Sequence, residues 1–225
     1  MTVQFGNPDR PNSYIGKTVP RPNAGRLVEG RGKYVDDITL PRMVHVAFVR
    51  SPFAHAKILS IDTEDAKSVK GVLRIFTGAD LAKVCTPWVA VLEHLKGLKS
   101  PPEHPMAMDR SCWVGEPVVA VVATSRAAAE DGAALVDVDY EPLPVVADMM
   151  TALDASTPVL HPEMGDNLAF QRLHEEGDVD GVFATAHKVV SAHFKTGRHT
   201  GVTLEPRSIL VDWNPAEGQM TAYHA

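Results

Sequence analysis

The stretch "PVVAVVATSRAAAEDGAALVDVDYEPLP", residues 117–144, constrains the fold more than any other part of the chain. Its opening run, 117–123, is apolar without interruption, as expected of a strand covered on both faces. Thr124 offers a hydroxyl as N-cap for a helix after it. Residues 125–136 favour helix by propensity, with Ala128, Ala129, Ala133 and Leu135 as the packing face and Gly132 as a weak point. Residues 136–141 alternate as a strand does, and Pro142 and Pro144 stop them. The expectation is a strand–helix–strand unit whose small-residue helix lies close against a sheet. Glu116 precedes Pro117 and is therefore held toward extended geometry. That places it at a strand entry and is no evidence of catalysis.

Further strands are expected over 44–51, 56–62 and 71–78, where β-branched and aromatic residues dominate. A short helix is expected after Gly78. Residues 85–105 lose all periodicity, and Pro87, Pro101, Pro102 and Pro105 punctuate them. A loop carrying a short helix near 90–98 is the reading there. Residues 146–176 read as a connection. Beyond them the pattern predicts a helix over 178–186 capped by Asp178, a strand over 188–196, and a hairpin of 208–214 with 219–225 through Pro215 and Gly218. The strand over 219–225 is expected to be an exposed edge or to pair with another chain, which makes self-association an expectation. Residues 1–26, rich in Pro, Asn, Gly and Arg, read as an extended arm with turns.

The bulk numbers exclude several classes. The chain has 225 residues, 44% hydrophobic and 22% charged, which is globular composition. A net charge of −6 gives no electrostatic footprint for nucleic acid. No apolar run approaches the roughly 20 residues of a membrane span, and the N-terminal residues show no secretory signal. The two cysteines, Cys85 and Cys112, match no zinc or iron–sulfur spacing. A reducing, cytoplasmic setting is the expectation.

Candidate sites are sparse. Ten histidines include no pair at helical zinc spacing, and His193 and His199 lack an evident partner ligand. "GRGKY" (30–34) is basic and glycine-rich but lacks the lysine–hydroxyl ending of a phosphate loop, so a tight turn into a strand is expected. Asp36-Asp37 and Glu175-Glu176 are chain neighbours and are expected at turns or in solvent, since acid–base work needs convergent groups. "TLEPR" (203–207) reads either as a pocket wall or, more simply, as a strand-entry salt bridge between Glu205 and Arg207.

Several stretches in one order resemble a known family: "YIGKTVPR", "LVEGRGKYVDDITLPRMVHVAFVRSPFAHAKILSID", "GVLRIFTGADL", "VGEPVVAVVATSRAAAEDGAALVDVDYEPLP" and "LEPRSILVDW". They look like the start of the large subunit of the molybdenum hydroxylases, the family of xanthine dehydrogenase, aldehyde oxidase and aerobic carbon monoxide dehydrogenase. The resemblance implies an α+β chain: an arm over 1–26, an α/β hammerhead domain over 27–148, and over 149–225 a linker and the first strands of a molybdenum-cofactor-binding domain. It implies oxidation of an aldehyde, an N-heterocycle or carbon monoxide at a molybdopterin-type molybdenum cofactor, with copper in some members. A carboxylate activates the attacking oxygen, and electrons leave through iron–sulfur clusters and FAD on a small and a medium partner subunit. The family's supporting glutamine, its Phe-Gly-Gly segment and its catalytic glutamate all fall beyond the matching stretches. No catalytic, cofactor-binding or metal residue is therefore carried onto this chain. It is expected to be a scaffold portion, inactive alone, completed by the remainder of the large subunit or by a separate cofactor-domain chain. The alternative is a non-catalytic binding or assembly module on a hammerhead fold.

Overall fold

The structure is a computed structural model that describes residues 14, 17–92, 94–197 and 199–225. The first part of the expected arm thus lies outside the described residues. The described chain forms two compact units. One takes Arg42–His193, and the other joins the described residues up to Pro41 with Phe194–Ala225.

In the smaller unit, helix α1 (Ala24–Val28) ends at Gly30, whose φ of 71° suits glycine. The segment 30–34 does not lead into the strand expected of it. The Asp37 side chain accepts from Tyr34 N (2.9 Å) and folds Val35–Asp37 into a 3₁₀ turn instead.

The larger unit holds the main core. Strand β1 (His45–Arg50) is followed by β2 (Ala56–Asp62), helix α2 (Glu64–Ser68), β3 (Val72–Thr77), helix α3 (Gly78–Leu81) and the short β4 (Arg110–Ser111). The 117–144 stretch then gives β5 (Pro117–Ala123), α4 (Arg126–Ala134) and β6 (Asp137–Pro142). Two antiparallel three-stranded sheets result, in the orders β1-β5-β3 and β4-β2-β6. The strand–helix–strand unit exists, but its two strands join different sheets. The apolar β5 is central in the first sheet, where Val118, Val119 and Val121 are fully buried. Val49, Ile58, Ile61, Ile75, Val138 and Tyr140 pack against that cluster.

Helix α4 covers β1 and β5 with Ala128 and Ala129, which meet Ala123, Ala47 and Val72. Its N-cap is Ser125, not Thr124: Ser125 Oγ accepts from Ala128 N (3.2 Å), while Thr124 N is still committed to Gly71 O at the strand end. Leu135 lies past the last turn and is half exposed, so it does not serve the packing face. Gly132 is where helix and sheet come closest. A Cβ there would sit 2.8 Å from Val72 and 3.0 Å from Val121.

The expected helix near 90–98 is absent among the described residues. Turns stand there, and the flanks close through a backbone pair of Trp88 with Glu103. Helix α5 (Val179–Thr185) forms with Asp178 capping Gly181 N (3.0 Å). The strand expected over 188–196 does not form. Its residues are exposed, and among the described residues no neighbouring strand takes up their backbone groups. Strands β7 (Ile209–Asn214) and β8 (Gln219–His224) make the expected hairpin in the smaller unit.

Candidate functional site

Among the described residues, Glu116 is the one buried acid, 8% exposed. The turn 112–116 presents it. Glu116 Oε2 accepts from Cys112 N (2.6 Å), Glu116 N donates to Trp113 O (3.3 Å), and Gly115 takes φ 88°. The turn is riveted to the end of β1: Ser51 N donates to Glu116 O (2.9 Å), Gly115 N donates to Ser51 O (2.8 Å), and Arg50 Nη1 donates to Gly115 O (2.8 Å). Ser51 Oγ and Ser111 Oγ share a hydrogen bond of 2.8 Å beneath it. Phe53 packs its ring on Tyr140 at 5.3 Å.

Glu116 and Cys112 line a cleft of about 300 Å³ together with Glu103, Arg110, Trp113 and Glu163. Arg110 Nη2 meets Glu163 Oε2 at 3.2 Å, and His161 Nδ1 lies 3.3 Å from Glu163 Oε1. Burial pushes the Glu116 carboxyl up, backbone N–H donors pull it partly back, and Glu103 adds repulsion. The Cys112 thiol is also pushed up, first by burial and then by the Glu116 charge. Glu163 is held low by backbone donation, with help from Arg110 and His161.

Chemically this is a clasp. The carboxyl that titrates high already serves a backbone N–H, and the thiol beside it is kept protonated and so a poor nucleophile. Sequence reasoning placed Glu116 at a strand entry. The Arg110–Glu163–His161 cluster has no local sequence signature, because Arg110 stands 53 positions from Glu163.

The other expected sites stay apart. Asp37 caps its own turn. Glu205 Oε1 accepts from Val35 N (2.7 Å), so the anticipated pairing with Arg207 gives way to a backbone partner. Glu175 and Glu176 are exposed, as are His193 and His199. Among the described residues no group of three or more His, Cys, Asp or Glu is placed to hold a metal ion.

These features match a known architecture. Residues 29–144 fit the family model of the aldehyde oxidase and xanthine dehydrogenase a/b hammerhead domain. Residues 160–225 fit that of the molybdopterin cofactor-binding domain. The chain belongs to the aldehyde oxidase and xanthine dehydrogenase family, whose members are molybdenum-containing oxidoreductases. It is 39% identical over 216 residues to the nicotine 6-hydroxylase large subunit of Paenarthrobacter nicotinovorans, covering 96% of this chain and 26% of that protein. It is 34% identical over 211 residues to the carbon monoxide dehydrogenase large chain of Afipia carboxidovorans, covering 88% and 25%. Among solved structures, quinoline 2-oxidoreductase from Pseudomonas putida 86 superposes with a TM-score of 0.85 at 35% identity, covering 94% of this chain and 27% of that one. The chain thus spans about a quarter of the length of these relatives.

Among the described residues of 160–225, the range matched by the second model, none is buried.

Proposed function

We propose that this chain is the scaffold portion of a molybdenum hydroxylase large subunit that oxidises an N-heteroaromatic substrate. The observation that carries this is the order of the two family matches, hammerhead before cofactor-binding domain, on a chain a quarter as long as its relatives. The N-heteroaromatic class rests on two relatives named for nicotine and quinoline, which both contain a pyridine-type ring. The cofactor would supply the two-electron oxidation in the complete protein. The role of this chain is to present a rigid framework of two sheets and one helix around β5, with the turn at Glu116 fixed to β1. No residue of it performs the chemical step.

In the complete protein the domain boundaries follow 1–26 as an arm, 27–148 as hammerhead and 149–225 as the opening of the cofactor-binding domain. The matched ranges support this division. An iron–sulfur small subunit and an FAD medium subunit complete the assembly. The relative named as subunit gamma of a dehydrogenase complex supports a multi-subunit form. Both cysteines are free, which supports a reducing, cytoplasmic location.

Purified alone, the chain is expected to retain no molybdenum and no pterin fluorescence. Co-expressed with the missing part of the large subunit and both partner subunits, it is expected to support hydroxylation of quinoline or nicotine. Stoichiometric molybdenum in the isolated chain would refute the scaffold reading. Turnover of aldehydes or carbon monoxide with none of N-heteroaromatics would refute the substrate class.

A further inference from the structure

A second cleft lies away from the Glu116 turn, between residues 94–96 and the extended segment 170–173. It holds about 240 Å³. Leu95, Phe170 and Leu173 give its lining apolar side chains that are still open to solvent, and His94, Lys96 and Arg172 give it polar and cationic ones. Among the described residues no acidic side chain lines it, in a chain whose net charge is −6.

The cleft is held in shape from below. Lys99 N donates to Ala169 O (2.8 Å), Lys99 Nζ donates to Met164 O (3.1 Å), and the same ammonium is paired with Asp166. Leu95 N donates to Leu92 O (2.8 Å), and Leu98 N donates to Leu95 O (3.1 Å). By contrast, Lys96 and Arg172 form no ion pair among the described residues. The backbone N–H groups of residues 171–173 also lack a protein acceptor among them.

Lys96 and Arg172 both line the cleft, and an anion held in it would be attracted by both charges. The guanidinium offers a planar fork that fits a carboxylate through two parallel hydrogen bonds, which a lone ammonium does not. The apolar side chains of the lining add a second demand. A bare inorganic anion would leave Leu95, Phe170 and Leu173 in water, whereas an aromatic or branched aliphatic body would cover them.

We propose that this cleft binds a small organic anion, a carboxylate carried on an aromatic or branched apolar body. The cleft shares no residue with the Glu116 turn, and its ligand is independent of the proposed hydroxylase function. The carboxylate has two sources, a free metabolite-sized acid or an acidic side chain flanked by an apolar residue in a protein segment.

The test is an amide-resolved NMR titration of the 225-residue chain with benzoate, benzamide and acetate. Benzoate should shift Leu95, Lys96, Arg172 and Leu173 saturably, and high salt should weaken it. Benzamide lacks the charge and acetate lacks the apolar body, so each should bind about tenfold more weakly. The double variant Lys96→Gln with Arg172→Gln should lose about tenfold for benzoate while the signals of β5 and α4 stay in place. Equal binding of benzamide and benzoate would overturn the proposal, as would undiminished benzoate binding by the double variant. N-acetyl-Phe-Glu-amide, whose only anion is a side chain, separates the sources. Tighter binding than benzoate assigns the cleft to a protein segment, and weaker binding assigns it to a free acid.

Discussion

At the scale of single residues, Ala129 and Glu116 show how little room the core leaves. Ala129 is 1% exposed on the α4 face that meets β5 and β1. Ala129→Glu would force a methylene and a carboxylate into that contact. Overpacking and an unpaired buried charge together should cost at least about 2 kcal/mol. A melting curve reads this directly, and a variant melting at the parent's temperature would place Ala129 in solvent. Glu116 makes a pH prediction. Its folded carboxyl is raised by burial above its ordinary value of 4.5. A raised acid binds its proton more tightly in the folded state. Its contribution is therefore fully present below about pH 4.5 and is lost as pH rises through the raised value. Asp80, held down to about 2 by Thr77 N and Oγ1 and by Lys83, acts oppositely and in a lower window. Its contribution is present above its ordinary value of 3.8 and is lost as pH falls toward 2. Glu116→Gln keeps an oxygen for Cys112 N and removes the titration. The difference in stability between this variant and the parent should therefore grow in the variant's favour as pH rises from about 4.5 through the raised value. A constant difference across that range would show that Glu116 does not titrate there.

At the scale of elements, the hairpin β7–β8 is the least supported piece of regular structure. Its two strands pair only with each other among the described residues, and Trp213 and Met220, paired across it, are 58% and 63% exposed. A lone two-stranded sheet is marginal in water, and its outer edges leave backbone donors and acceptors open to another chain. Hydrogen exchange over 209–224 should be fast at low protein concentration and slow as concentration rises. Strong protection in a proven monomer, independent of concentration, would show the hairpin to be complete in itself. The same element illustrates what the sequence makes legible. Alternation and turn residues reveal β7, β8 and β6, and the uninterrupted apolar run reveals β5, because each pattern is local. The misses are not local. Residues 188–196 have the composition of a strand and, among the described residues, no strand to pair with. Thr124 loses the cap to Ser125 because the Thr124 backbone still belongs to the strand. The cluster of Arg110, His161 and Glu163 depends on a loop path that no periodicity encodes.

At the scale of the whole molecule, the distribution of burial decides what can fold alone. Among the described residues, the buried ones run from Ser51 to Gly132, inside the longer span 45–142 that supplies the two three-stranded sheets, helix α4 and the turns between them. Residues 149–193 add the pairs Lys99–Asp166 and Arg110–Glu163, the bond from Lys99 N to Ala169 O, and exposed or half-exposed side chains. Ion pairs with this much solvent contact contribute roughly 0–1 kcal/mol each, so little of the core's stability depends on them. A chain ending at Asp148 should therefore still unfold in one cooperative transition, with a slightly lower midpoint than the full chain. Its Trp113 signal should shift, because the removal of His161 and Glu163 opens the cleft that Trp113 lines. Urea unfolding followed by circular dichroism and by tryptophan fluorescence gives both readouts. Coincident transitions would establish residues 1–148 as an autonomous hammerhead. A chain that is unfolded without denaturant, while the full chain is folded, would make 149–193 part of the folding unit and would move the domain boundary toward His193.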